Sequence, residues 1–325
     1  MQNENPMKLH NSPIDIVYTW VDDQFPGYGN LLRQHARTGH DTNPNRTRNN
    51  LDVLKYSLRS VEKYIPWIRN IYILTSRPQK PDWLNTANNR INLIHHDDII
   101  QEKYLPTFNS FCIVSFLHEI KGLSDQFLYI EDDMLFGNHI ELDDFVSLTD
   151  NKLLVHPRIS KTTSAVNRND NNRGPWDLAV AYCNHLLNMS FGESNRNSVN
   201  HIPLLIEKKT WGDMTEKWAD AFATTRQSRF RSKLTIAPEY LYPYYMLYTG
   251  KAKMNGLHNT YGKSFYLGLE NNRLITAAGL AMIRFFKPKM YCLNDNFGDN
   301  PDMDIVNMTK KFLEELYPDK SSFES

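Results

Sequence analysis

An open, mostly parallel α/β sheet is the fold this sequence predicts, and two patterns predict it. Between residues 14 and 136, short β-branched and aromatic runs alternate with amphipathic stretches in the order strand, helix, strand, strand, helix, strand. That is the order of crossover units in parallel sheets. Two of those strands end in acidic pairs, Asp22-Asp23 and Asp132-Asp133, and ligands of such sheets sit outside the carboxyl ends of the strands. With 325 residues, 41% hydrophobic and 12% aromatic, the chain can bury a full core and is not disordered.

Residues 1–13 predict a loose tail. IDIVYTWV (14–21) is a strand that stops at Asp22-Asp23. Residues 24–50, with Pro26, Gly27, Gly29 and a run of Asn, Arg and Thr, predict a loop. Residues 51–64 place Leu51, Leu54, Leu58 and Val61 on one helical face, and Pro66 ends the helix. Residues 70–76 and 91–96 are the second and third strands. Residues 106–120 predict a helix begun by Pro106 and Thr107. Residues 127–133 form a fourth strand ending in carboxylates. The polar, irregular stretch 150–175 predicts a mobile loop, and helices are expected over 176–191, 239–249 and 304–317. The second half lacks strand alternation, so it is expected to be mainly helical and packed on the sheet, with no linker dividing the chain.

Lys+Arg and Asp+Glu are 37 each, a formal net charge of zero. This excludes a nucleic-acid coat or a polybasic anchor as the main function. The cysteines Cys112, Cys183 and Cys292 are odd in number and lie in no CxxC pair. They argue against a disulfide framework or a zinc–cysteine site and for a reducing compartment. The first residues carry no apolar run of a secretory signal, and no apolar stretch is long enough to span a bilayer. A cytoplasmic protein is expected, at most peripheral on a membrane. There is no GxGxxG, GxxxxGK[ST] or GxSxG, so dinucleotide, P-loop and serine-hydrolase chemistry lose their main support.

Adjacent carboxylates after a buried strand are costly unless a cation compensates them. For Asp132-Asp133, a hard divalent cation bridging to substrate phosphates and a turn acid capping the next element are equally good accounts. For Asp22-Asp23 alone a polar turn is the better one. Two such pairs at one sheet edge favour a phosphate–metal site. His95 and His96 are adjacent on a strand, point to opposite faces and are poorly placed to chelate one ion. His201, in VNHIP, is a lone histidine of the structural kind. Arg226, Arg229 and Arg231 form either a solvated face or a phosphoryl partner, since a guanidinium fork pairs two oxygens. Asn294, Asp295, Asn296 and Asp299 gather oxygens that suit either a cation or an ordinary loop.

The strings IDIVYTWVDD, LKYSLRSVEKYIPWIRNIYILTS, PDWLN, LPTFNS and GLSDQFLYIEDDML resemble the first two conserved regions of the Stealth family. VNHIPLLIE with FRSKLTIAPEYLYPYY resembles the third, and CLNDN the fourth. The resemblance runs from Ile14 to Asn296. The family includes bacterial capsular and exopolysaccharide phosphotransferases and the animal GlcNAc-1-phosphotransferase.

The resemblance implies a Rossmann-like, GT-A-like sheet and a single catalytic domain over 14–325. Residues 14–150 would be the nucleotide-sugar half and 151–325 a helical acceptor and active-site half. It implies transfer of a sugar-1-phosphate from a nucleotide-diphosphate sugar, such as UDP-GlcNAc or a similar UDP-hexose, to a hydroxyl of an acceptor glycan. The phosphodiester so formed belongs to capsular or exopolysaccharide synthesis, and Mg²⁺ or Mn²⁺ is the implied metal. No nucleic-acid partner is expected; peripheral association with the inner face of a bacterial membrane or with a capsule-synthesis complex is.

By position, the resemblance makes Asp132, Asp133, His201 and Arg231 the catalytic candidates and Asp133, Asn294 and Asp295 the metal candidates. Thr19, Trp20, Asp22, Asp23, Arg59, Asn109 and Ser110 fall within the matching strings as substrate-binding candidates. Arg168 and Arg173 of the polar loop join them. Glu131 stands where many members have Asn. In this chemistry, a metal holds the diphosphate, an arginine meets phosphoryl charge, and Asp132, Asp133 or His201 takes the acceptor's proton. One alternative is a metal-dependent glycosyltransferase using the same acids. Another is a non-catalytic carbohydrate-binding protein using Trp176, Trp211, Trp218 and Tyr242 to Tyr248.

Overall fold

The computed structural model describes residues 12–325; most of the expected N-terminal tail lies outside the described residues. In chain order the elements begin with β1 (Ile14–Thr19), α1 (Tyr28–His35), α2 (Val53–Tyr64), β2 (Ile71–Thr75) and β3 (Ile91–His95). There follow α3 (His96–Ile99), α4 (Ser110–Val114), β4 (Gln126–Glu131), β5 (Met134–Phe136), β6 (Leu153–Val155) and β7 (Pro157–Lys161). Then come α5 (Pro175–Phe191), β8 (Asn197–Val199), β9 (Leu204–Glu207), α6 (Lys208–Lys217), α7 (Ala219–Gln227) and α8 (Pro238–Tyr248). The chain ends with β10 (Ala252–Met254), α9 (Leu257–Lys263), β11 (Ser264–Leu269), α10 (Arg273–Phe286), β12 (Met290–Asp295) and α11 (Met303–Leu316).

The main sheet has the order β3-β2-β1-β4-β9. Its first four strands are parallel and β9 is antiparallel. Buried on both faces, β1 (IDIVYT) and β2 (IYILT) read as continuous apolar runs, as central parallel strands do. The one polar interruption, Asp15, is fully buried and held by Arg69 and the Ser124 and Asn70 amides. A second, three-stranded sheet, β11-β12-β5, leans on α2. No helix among the described residues is long and apolar enough to cross a membrane.

Several expectations are corrected. The 24–50 loop contains α1 and a 3₁₀ turn at Pro44–Arg46. The 106–120 helix is broken: Asn109 caps α4 by accepting from the Phe111 amide, and a 3₁₀ turn at Leu117–Glu119 follows. The β-branched Ile113 and Val114 and the Ser115 hydroxyl, which bonds back to the Cys112 carbonyl, disfavour a longer helix there. The stretch 150–175 holds β6 and β7, which pair with the distant β10 and β8. The second half carries α5 to α11 as expected, yet also supplies strands to both sheets. Trp211, Trp218, Tyr242 and Tyr244 are core residues, so most of the aromatic surface expected of a binding module is buried; Trp176 is exposed.

Candidate active site

β4 ends at Glu131 and β5 begins at Met134, so Asp132-Asp133 is the turn by which the chain leaves the main sheet and enters the small one. Strand pairing then decides the neighbours. β12 runs antiparallel to β5, with Cys292 opposite Met134 and the Leu293 amide on the Asp133 carbonyl. This brings Asn294 Nδ2 to 3.0 Å and Cys292 Sγ to 3.1 Å from Asp133 Oδ2. β9 runs antiparallel to β4, with Leu204 opposite Tyr129, so the residues leading into β9 pass the end of β4. His201 lies there, its Nε2 3.6 Å from Asp133 Oδ1 and 3.9 Å from Glu131. Asp133 Oδ1 and His201 Nε2 are both buried without a hydrogen-bond partner.

These groups open on a cavity of about 1060 Å³ at the carboxyl ends of the parallel strands, a size that suits a small-molecule ligand. Arg231 lines it from the segment before α8. Its Nε donates to Ser110 Oγ at 2.9 Å, and its guanidinium lies 4.2 Å from the Phe111 ring centre. Arg46 lines the same cavity, paired with Asp41. Glu239, in the first turn of α8, is a third wall residue, one carboxylate oxygen buried and unpartnered.

The electrostatics follow from crowding. Burial, then the Asp133 and Glu131 charges, push the Asp132 carboxyl well above the usual range. Burial raises Glu131, against the pull of His201. Burial and then Glu131 push Glu239 up to about 7. For Asp133, burial is outweighed by the charge of His201 at 3.6 Å and by hydrogen bonds from Cys292 and Asn294, which hold it below the usual value. Burial alone would lower His201, but Glu131 and Asp133 hold it up at about 9, so it is an imidazolium at neutral pH. Burial lowers Arg231, and burial together with Arg231 brings Arg46 down to about 9. The Cys292 thiol stays protonated, pushed well up by burial and by Asp133.

Asp132, Asp133, His201, Arg231, Asn294, Asp295, Thr19, Trp20, Ser110 and Arg173 all line this cavity. Thr19 Oγ1 meets the Tyr129 hydroxyl at 3.1 Å at the end of β1. Both Asp295 oxygens are engaged by Arg48 Nη1, at 2.9 and 2.8 Å, fastening the 43–50 loop to β12. The remaining candidates are not among the lining residues. Asp22 and Asp23 bond to Gln24 in a polar turn. Asn109 is fully buried, its amide on the Thr225 and Ser228 carbonyls. Arg59 turns away to Glu324, at 2.8 and 2.7 Å, and to the Tyr317 carbonyl. Arg168 lies 4.6 Å over the Tyr182 ring.

Sequence reasoning missed Arg46, Arg48, Glu239 and Cys292. The available signals were two arginines spaced one apart in a polar loop, NRTRNN, and a lone acid in an otherwise apolar helix, PEYLYPYYMLY. Among the described residues, Asp133, His201 and Cys292 also form a group whose ligand atoms lie within 4.8 Å of one another.

The molecule is thus an α/β protein with an acid-rich cavity where a mostly parallel sheet hands over to a smaller one. Residues 46–154, 200–248 and 281–325 match the Stealth protein conserved regions CR2, CR3 and CR4, together more than half of the chain. The chain belongs to the Stealth family. An exopolysaccharide phosphotransferase of Streptomyces coelicolor is 33% identical over 318 residues, 96% of this chain and 52% of that protein. One from Nocardia farcinica is 31% identical over 323 residues, 96% of this chain and 61% of that protein. The exopolysaccharide phosphotransferase CpsY of Mycobacterium leprae is 30% identical over 318 residues, 94% and 56% of the two chains. The chain spans about half the length of these curated relatives. Among solved structures, the galactosyltransferase LgtC with donor and acceptor sugar analogues aligns at TM-score 0.44 and 13% identity, over 95% of this chain and 97% of that one. Apo mouse xyloside xylosyltransferase 1 aligns at 0.41 and 10%, over 87% and 98%.

Proposed function

We propose that this chain transfers a sugar-1-phosphate from a nucleotide-diphosphate sugar to a hydroxyl of an acceptor glycan. The reading rests on one observation. The acid triplet Glu131, Asp132 and Asp133 shares a cavity with two guanidiniums, Arg46 and the half-buried Arg231, and among the described residues the second has no carboxylate bonded to it. Cations held beside each other suit an anionic ligand, and the planar fork suits phosphoryl oxygens.

A divalent cation fits the site. Asp133 Oδ1 is buried and, among the described residues, accepts no hydrogen bond, and three consecutive carboxyls gain from positive charge. The residues that would hold Mg²⁺ or Mn²⁺ are Asp133 and, beside it, Asn294, hard oxygen donors in keeping with either ion. Such an ion supplies charge neutralisation on a diphosphate.

The chain's own residues do the rest. The acceptor oxygen attacks the β-phosphorus, the bond from that phosphorus to the bridging oxygen breaks, and the nucleoside monophosphate leaves. Asp132, which lines the cavity beside Asp133, takes the acceptor's hydroxyl proton. His201, protonated, meets negative charge on the transferring group, as does Arg231. Asp295, tied to Arg48, orders the loop that carries Arg46.

A panel of UDP-sugars incubated with a capsule-like oligosaccharide tests the class. Release of UMP supports it; release of UDP in step with acceptor elongation identifies a glycosyltransferase instead.

A further inference from the structure

α10 joins the two parallel strands of the small sheet, and its inner face is well packed. Thr276, Gly279, Leu280 and Ile283 are buried, and a Cβ on Gly279 would lie 2.4 Å from Leu267 Cδ1. The outer face is apolar as well. Leu274 (82% exposed), Ile275 (52%), Met282 (44%), Phe285 (80%) and Phe286 (65%) stand in solvent. Spacings of seven and eleven residues put these side chains on one side of the helix. Met303, 54% exposed, extends the patch at the Leu274 end, where the Asp302 amide bonds to Asn271 and sets the starts of α10 and α11 together. Exposed apolar stripes of this kind mark a docking surface.

The charges around the stripe say what docks. From Arg273 to Lys289 the chain has no Asp or Glu, and it has Arg273, Arg284, Lys287 and Lys289. Arg284 is taken up by Glu315 and Lys289 by Asp144. Arg273 and Lys287, at the two ends of the stripe, are exposed and have no ion pair among the described residues. A second copy of the chain docked by the same face, antiparallel, would set Arg273 against Lys287, like against like. An anionic bilayer accepts both cations while its headgroup–acyl boundary accepts the phenylalanines.

We propose that α10 is a membrane-docking element that lays its outer face on the surface of an anionic bilayer. It needs no spanning segment, and it stands independently of the transfer chemistry.

The test is flotation of the purified protein with vesicles of phosphatidylcholine alone and of phosphatidylcholine with about 30% phosphatidylglycerol. The wild type floats with the anionic vesicles and not with the neutral ones, and added salt weakens flotation. The double variant F285S/F286S stays behind at an unchanged melting temperature, since both side chains are exposed. Wild type left behind by anionic vesicles, or a double variant that floats as well as wild type, overturns the proposal. So does a dimer in light scattering that F285S/F286S converts to monomer, which assigns the face to a second copy.

Discussion

Asp133 Oδ1 and His201 Nε2 lie 3.6 Å apart at the junction of two sheets, each buried and, among the described residues, without a hydrogen-bond partner. Two ionised side chains in this state point to a third participant. Burial and mutual repulsion disfavour the ionised forms of Glu131 and Asp132 beside Asp133, and that crowding of carboxyls is the basis for expecting a divalent cation beside Asp133.

Chelation is therefore expected to abolish turnover, and Mg²⁺ or Mn²⁺ to restore it. Asp133→Asn should raise the metal concentration needed for half-maximal activity and cost more than about a hundredfold in turnover. Asp132→Asn should cost a similar factor while leaving the metal requirement unchanged. A metal titration of both variants separates the roles; full activity in chelator contradicts them.

Arg231→Lys should lose about two to three orders of magnitude in turnover although it keeps the charge, because an ammonium cannot reproduce the planar fork. The neighbouring arginines are structural. Arg226 lies 4.1 Å over the Phe116 ring and bonds to Ser115, and Arg229 bonds to the Pro106 carbonyl. Their lysine variants should lower the melting temperature and spare turnover. Paired kinetics and thermal melts check this, and an active Arg231→Lys would remove that residue from the chemistry.

Arg59→Met is expected to act on stability alone. The Arg59–Glu324 pair is largely buried, at 11% and 3% side-chain exposure, and removing one partner of such a pair costs roughly 3–5 kcal/mol. Denaturant unfolding should register that loss while turnover below the new transition stays near wild type. A stable but inactive variant would restore Arg59 as a substrate contact.

Acid should weaken the fold partly through His96. Burial, with His95 beside it, lowers its folded pKa to about 4 from an ordinary 6.5. Between those values the unfolded chain binds more protons, so stability is full above pH 6.5 and falls as the pH drops towards 4, by up to roughly 3 kcal/mol from this group. His96→Gln should flatten that part of the stability profile. Superimposable wild-type and variant profiles would contradict the assignment.

The first four strands and the acid pair were legible in the sequence because each is a local pattern: a short run rich in apolar and β-branched residues, closed in β1 and β4 by an acidic pair. The contacts that complete the site were not. Asn294 reaches Asp133 only because β12 pairs with β5, and β5, three residues long, leaves no periodicity to read. β11 and β12 carry apolar runs, but nothing local says that they pair with each other and with a strand from the first half. Arg59 shows the converse. Its place in YSLRS fixes it on α2, while the direction of its side chain depends on Glu324, at the far end of the chain.

Following the phosphorus distinguishes sugar-1-phosphate transfer from glycosyl transfer. A UDP-sugar carrying ³²P in its β-phosphate is incubated with enzyme, Mg²⁺ and acceptor oligosaccharide, and the glycan is separated from the nucleotides. Sugar-1-phosphate transfer puts the label in the glycan, in a linkage resistant to phosphomonoesterase, and leaves unlabelled UMP. Label remaining wholly in UDP while the glycan gains sugar would identify a glycosyltransferase and overturn the phosphotransfer reading.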